Sequence, residues 1–438
     1  MFFNPSLSSV TRVFSGVALS VIFGILAFFI VQSAYTLTGG SWGYWPKSLV
    51  LFSWFYFPGF VASCGTFLAM WIYSDHEKSY KIIGIMSGTS VDGIDFSFLE
   101  TDGKNFVKII LGKSYKYDNN YKIKIKKFIK KIKINNSISL KKIDLIVSKK
   151  FLKMTIKFIS EFNIKTNNID YIGLSGQTIL HKPDNKISIQ LGSGSFLSRN
   201  LKINVISNFR ENDILNDGQG APIGAFYHKF LINKLNKKTV IINIGGISNI
   251  CFAYKKKLIA FDLGPGNSLI DDYMWIILKK NYDKNGNLSS KGKLNKQIIK
   301  EFLNDKFFKK KYPKSLDREY FNHFLNKVKN LNKEDAIHTL SMMTVISIIK
   351  GINLLNEKIE QIILTGGGRK NNFIYEKLKE MTKIHIINID KLGINGDLIE
   401  SEAFGYLAAR SIKKLPLSIN TTTGVKKQTT GGILYKFN

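Results

Sequence analysis

Cysteine is almost absent from this chain of 438 residues: Cys64 and Cys251 are the only two. They lie far apart, form no Cys-x-x-Cys pair and offer no convincing staple, which fits a reducing compartment. The six histidines are scattered, with no His-x-x-x-His spacing, so no protein-built metal site is expected. Acidic residues are also short. Against 64 Lys and Arg stand 32 Asp and Glu, a formal net charge of +32. Such a balance raises the question of a polyanionic partner. Yet no nucleic-acid recognition module is present, and no aromatic residues alternate with basic ones as a stacking platform requires, so no nucleic acid is expected. Lys, Ile and Asn are over-used together, as in Lys122–Lys133 (KIKIKKFIKKIK), a bias that an AT-rich coding sequence produces unselected.

Charge is missing altogether from two early stretches. Val13–Pro46 and Ser48–Ser74 hold no charged residue, and each exceeds the roughly 20 residues that span a bilayer. Trp42, Tyr44 and Trp45 fall between them, where an interfacial aromatic belt belongs. The expectation is a transmembrane hairpin over residues 1–79, anchoring through residues 13–74. A cleaved signal peptide and an extension foreign to the rest of the chain are the alternatives. Arg12 before the first run, with Lys78 and Lys81 after the second, favours a cytoplasmic location for the chain from Tyr80 onward.

From Tyr80 the pattern becomes α/β: short apolar strands, glycine-rich turns and Lys-rich amphipathic helices. Ile82–Met86 reads as a strand, followed by a small-residue turn and a second strand from Ile94. In that turn glycine lets a phosphate approach the backbone, and Thr89 and Ser90 offer hydroxyl donors. No Gly-Lys-Ser/Thr comes after it, so it is not a Walker A loop. The design repeats at Val240–Ile244, Gly245-Gly246 and Ile247–Phe252. A third cluster, Gly366-Gly367-Gly368, comes after a strand at Gln361–Leu364 in a position suited to a nucleotide's sugar or base. Asp262 is read at the end of the strand Leu258–Phe261, ahead of a Gly-Pro-Gly turn and a helix capped by Asn267 or Ser268. A carboxylate there can serve as a general base or merely cap the turn.

Two strand–turn–strand clamps and a late glycine cluster resemble the two-domain ATPase fold shared by actin, Hsp70 and sugar kinases. Domains are expected at 80–225 and 226–438. In order, GIMSGTSVDGID (84–95), GQTILHKP (176–183), GQGAP (218–222), NIGGISN (243–249), FDLGPGN (261–267), KSLDREYF (314–321), GGGRKN (366–371) and GINGDLIESEAF (393–404) resemble the anhydro-N-acetylmuramic acid kinase family. The resemblance covers about residues 80–432.

It implies a double reaction with ATP and Mg²⁺. Water opens the 1,6-anhydro bridge of the amino sugar while the γ-phosphoryl passes to O6, in recycling of peptidoglycan. Asp262 falls on the family's catalytic aspartate. Gly88, Thr89, Ser90, Val91, Asp92, Gly93, Ile94 and Asp95 match its ATP-binding stretch, with Gly245, Gly246 and Gly366–Gly368 as further nucleotide contacts. Gln177, Arg210, Asn267 and Glu400 are the candidate substrate contacts. Three positions depart from the family's pattern: Ser175 stands for His, Asn208 for Asp, and Ser193 for Asp. A kinase for another sugar and a membrane-tethered muropeptide sensor without turnover stay open as alternatives, and so does a homodimer.

Overall fold

A computed structural model describes residues 78–134, 139–235 and 237–437. The two apolar runs of the expected membrane hairpin lie outside the described residues.

The first sheet begins with β1 (Tyr80–Ser87), β2 (Gly93–Thr101) and β3 (Val107–Lys116), an antiparallel meander. Helices α1 (Asn119–Ile134) and α2 (Lys141–Glu161) come next. The chain then returns as β4 (Tyr171–Lys182), parallel to β1, with β5 (Ile187–Leu191) paired to the far end of β4. Helix α3 (Gly194–Leu201) leads to β6 (Val205–Ser207), parallel to β4. Ile82, Ile83 and Ile85 are fully buried, because β1 is central and both its faces are covered.

The second sheet repeats the order. β7 (Thr239–Ile244), β8 (Ile247–Tyr254) and β9 (Lys257–Pro265) form an antiparallel meander. Helices α4 (Ser268–Leu278) and α5 (Lys333–Leu354) precede β10 (Gln361–Thr365), parallel to β7. Helix α6 (Asn372–Thr382) then leads to β11 (His385–Asn388), parallel to β10. Reading from the meander edge, the sheets run β3-β2-β1-β4-β6 and β9-β8-β7-β10-β11. One αβ plan is thus used twice. The chain does not keep the halves apart, since β12 (Ile433–Tyr435) returns to pair with β6. Among the described residues α5 alone is long and apolar enough to cross a membrane, and 67% of its apolar window is buried as core.

Helix α7 (Ile399–Ile412) joins the two halves. Ile399, Ala403 and Tyr406 pack into one apolar cluster with Ile241 and Ile363 of the second sheet. Phe404, Leu407 and Ala408 pack into another with Ile82 and Ile206 of the first. The helix lies close on β1 and β4 because glycines face it. A Cβ on Gly84 would stand 1.9 Å from the Ser401 carbonyl oxygen, and one on Gly173 would stand 2.4 Å from that of Phe404. Gly84→Ala must therefore push the helix backbone away. Overpacking of this kind costs about 1–3 kcal/mol. Thermal unfolding should show a lowered Tm; an unchanged Tm would mean that the helix is not held this tightly.

Candidate functional site

The first glycine turn, residues 88–92, closes with a hydrogen bond from the Val91 amide to the Gly88 carbonyl (3.1 Å). Val91 sits at φ +58 with its side chain fully buried in the core. A β-branched residue in that region is strained, and packing holds it there. Beneath the turn, Ser87 Oγ lies 2.7 Å from Gln177 Oε1 and 3.0 Å from Tyr117 Oη, while Gln177 Nε2 donates to the Gly88 carbonyl (2.9 Å). Gln177 is fully buried and commits both ends of its amide to this turn.

The second turn, Gly245-Gly246, is stapled from behind by the loop after β9. The amides of Asn267 and Gly266 donate to the Gly245 and Gly246 carbonyls (2.7 and 3.0 Å), and that of Ser268 also reaches Gly246 (3.2 Å). Asn267 holds the N-cap position of α4 without capping it through its side chain. Its Nδ2 instead donates to the Ile244 carbonyl (3.3 Å). Asn267 thus lies between the second and third glycine clusters. The third cluster is pinned by Arg369, which donates to the Gly366 carbonyl (2.9 Å) and pairs with Asp390 and Asp397.

The glycines separate into two groups. On Gly366 a Cβ would stand 2.3 Å from Asn243 Oδ1, on Gly368 2.2 Å from Ile244 Cγ2, and on Gly93 2.4 Å from the Tyr115 carbonyl, so packing alone requires glycine there. At Gly88, Gly245, Gly246 and Gly367 a Cβ would meet nothing closer than 3.4 Å, and none of the four has positive φ. Neither backbone conformation nor packing demands glycine at these four. They line a cradle that a Cβ would fill, which fits close approach of a nucleotide's phosphates. Thr89 and Asp92 are exposed on the first turn, whereas Ile94, like Val91, points into the core.

Asp262 lies inside β9, not at its end. Pairing continues to Pro265 because a register shift leaves Leu263 as an extra residue and Gly264 takes φ +151. Such bulges re-aim neighbouring side chains. The segment 314–316 closes on it: the Asp262 amide donates to the Lys314 carbonyl (2.9 Å), and the Leu316 amide donates to Asp262 Oδ2 (2.8 Å). Oδ1 accepts no hydrogen bond among the described residues. Burial pushes this carboxyl up to about 7, against the Leu316 amide and the charges of Arg210 and Lys314. That is where a general base works best near neutral pH. Lys314, over the Phe307 ring at 4.2 Å, is pulled down to about 8 by burial, against the charge of Asp262.

Arg210 gathers the remaining groups. Its Nη1 donates to the Gly220 carbonyl (2.7 Å), and it feels the charges of Asp262, Glu400 and Asp213. Glu400 starts α7 and accepts from Asn243 Nδ2 (3.1 Å). Its side chain is open to solvent, yet protein surrounds it closely enough for burial to raise its pKa. A group both wet and enclosed marks a cleft. Asp95 is half-buried nearby and pushed up to about 7 by burial, with Glu400 and Asp397 adding to the rise and a bond to Ser114 opposing it. The structure therefore links Arg210 to Asp262 and Glu400, and Glu400 to Asp95, while Gln177 and Asn267 bond the first and second glycine turns.

Comparison with known proteins decides the family. The model of the anhydro-N-acetylmuramic acid kinase family matches residues 80–437. A curated kinase of that name from Pelagibacter ubique is 39% identical, with 82% of this chain and 99% of the relative covered. One from Zymomonas mobilis is 34% identical, with 81% and 99% covered. The chain belongs to the anhydro-N-acetylmuramic acid kinase family. Among solved structures, a xylulose kinase from Lactobacillus acidophilus aligns with a TM-score of 0.38 at 10% identity, covering 82% of this chain and 94% of that one, too distant to carry an argument.

The three residues read as departures from the family's pattern have local roles. Ser193 caps α3 by accepting from the Phe196 amide (3.1 Å), a task Asp and Ser perform equally well. Asn208 sits at φ +58, the region Asn and Asp tolerate best among non-glycine residues. Ser175 Oγ accepts from the Ser87 amide (3.3 Å) at the foot of the first turn. Sequence reading missed His181, Lys314, Ser315 and Arg318 as site residues. His181 is buried, 3.4 Å by Nε2 from Ser315 Oγ, and burial followed by the charge of Arg210 pulls it down to about 3. The motifs GQTILHKP and KSLDREYF were the available signal. Gly246→Ala should keep the wild-type Tm but weaken nucleotide binding about tenfold or more, whereas Gly368→Ala should lower Tm. Calorimetry on both variants checks this, and a destabilised Gly246→Ala would contradict the division of glycines.

Proposed function

We propose that this chain is an ATP-dependent kinase that opens 1,6-anhydro-N-acetylmuramic acid with water and phosphorylates O6, yielding N-acetylmuramic acid 6-phosphate in peptidoglycan recycling. Family membership supports the reaction, and one observation carries the mechanism: Asp262, buried and poised near neutrality, keeps Oδ1 unpaired within reach of the Arg210 charge, which Glu400 also feels. Asp262 takes a proton from the attacking water. The new bond joins water oxygen to C1, the C1–O6 bond breaks, and O6 takes the γ-phosphoryl as ADP leaves. The backbone amide of Leu316 fixes the carboxylate's direction, so positioning rather than covalent chemistry supplies most of the rate.

The four open glycines receive ATP's phosphates. Mg²⁺, when bound, neutralises phosphate charge, and Asp92 on the first turn would hold it. An ion held mainly by phosphates and water needs only one or two carboxylates from the protein. The repeated sheet order supports two domains divided near residue 225, with α7 and β12 of the second part returning to the first sheet.

Full-length protein incubated with ATP, Mg²⁺ and the anhydro sugar should give a ring-opened 6-phosphate. Phosphorylation with the anhydro ring closed would overturn the mechanism, and no transfer would favour a non-catalytic sensor. Asp262→Asn should bind ATP normally with kcat lowered about 10²- to 10⁴-fold. The working form is the carboxylate, so wild-type kcat/KM should fall about tenfold per unit as pH drops below about 7, and this acid limb should vanish in the variant. The anchor over residues 13–74 is supported by its uncharged length. Full-length protein should stay in the membrane fraction through a high-salt wash; release into the supernatant would refute an anchor.

A further inference from the structure

Arg318 lies two residues past the segment that closes on Asp262 and borders the second glycine turn. Its Nη1 and Nη2 donate to Asp272 Oδ2 and Oδ1, each at 2.8 Å. This two-pronged grip fixes the guanidinium plane. It leaves Nε, which is buried and has no hydrogen-bond partner among the described residues. An orphaned buried N–H is costly and calls for an explanation.

The explanation lies beside the second glycine turn. The point where Gly246 would carry a Cβ is 3.6 Å from Arg318 Nε and 3.4 Å from Thr89 Oγ1. One small space is thus bordered by an unpaired guanidinium N–H, a hydroxyl from the first turn and glycine backbone from the second. An oxygen cannot occupy that point, which is one bond length from the Gly246 Cα; held outward at the Cα–H···O distance of about 3.3–3.6 Å, it would face both donors. Two of the neighbouring acids are muted toward an anion there: Asp272 is already committed to Arg318. Burial, with Asp92 and Asp272 adding to it despite Arg318, pushes Asp271 up to about 8, so it is mostly neutral at pH 7.

We propose that Arg318, oriented by Asp272, donates its Nε–H to the terminal phosphoryl group of the bound nucleoside triphosphate between Thr89 and Gly246. The inference rests on the reading of this cleft as a nucleotide site. It makes KSLDREYF a bridge: its third residue holds the base, and its fifth holds the phosphoryl group that the opened sugar receives. The pair is more than a structural tie, because an Arg–Asp bridge serving stability alone would have no reason to leave Nε unpaired against a glycine.

Isothermal titration of full-length protein with Mg²⁺ and either ADP or the β,γ-imido analogue of ATP tests this. Arg318→Gln should weaken the analogue by about 10- to 100-fold, the worth of a charged hydrogen bond, and change ADP by less than about twofold. Equal losses for both nucleotides, or no loss for either, would overturn it. Should Arg318→Gln fail to fold, Asp272→Asn carries the test, with a smaller loss confined to the analogue; an equal loss for ADP, or none, refutes the proposal. Wild-type protein that binds neither nucleotide would refute the nucleotide site itself. Tight wild-type binding that Arg318→Gln leaves intact would refute only the role of Arg318.

Discussion

The hydrogen bond from the Leu316 amide to Asp262 Oδ2 crosses 54 residues of sequence, and the Asp262 amide answers it by donating to the Lys314 carbonyl. This reciprocal pair locks β9 to the segment 314–316. A carboxylate removed from water normally takes up a proton, and burial does push Asp262 upward. The Leu316 amide, Arg210 and Lys314 pull the other way and stop the rise near neutrality. With Oδ2 held, Oδ1 is left for chemistry. Without the clamp the side chain would lose its fixed direction and one of the three influences that hold its pKa down.

Everything else in the cleft is arranged from that point outward. Arg210, whose charge reaches Asp262, also answers to Glu400 and Asp213, and Asp213 holds the 218–220 loop through the Gly220 amide (2.6 Å) and Thr423 Oγ1 (2.6 Å). Glu400 stands at the start of α7, the helix seated between the two sheets, so the geometry of the sugar side depends on how closely glycines let that helix approach. On the phosphate side, the loop leaving β9 staples the second glycine turn with three backbone amides. Asp262 and the second glycine turn therefore share one strand and the loop that leaves it, which in the proposed reaction keeps the water-activating group and the phosphate in register.

Much of this was legible in the sequence, for a physical reason. Short apolar runs broken by glycines announce strands and tight turns, so both hairpins and the third cluster could be located by local pattern, while Asp262 was singled out by the family resemblance. What depends on distant partners could not. Leu263 as an extra residue in β9, which carries the strand past Asp262, arises from pairing with β8 and leaves no local mark. Gln177 reads as a polar residue free to bind a sugar until Ser87 and Gly88 are seen to consume its amide. The distinction between Gly246, open, and Gly368, packed against Ile244, rests on what faces each backbone across the fold. For the same reason Asn243 went unnoticed, although it orients Glu400. The return of β12 to the first sheet likewise depends on β6, more than two hundred residues earlier.

The central claim concerns where one side chain stands when both substrates are bound. A crystal structure of the full-length protein with the anhydro sugar and the β,γ-imido analogue of ATP measures it. The account predicts Asp262 Oδ1 within hydrogen-bond reach, about 2.6–3.2 Å, of a water lined up on the anomeric carbon. It also predicts O6 turned toward the terminal phosphoryl group at the glycine turns. Asp262 turned away from the anomeric carbon, with another group holding that water, would contradict it.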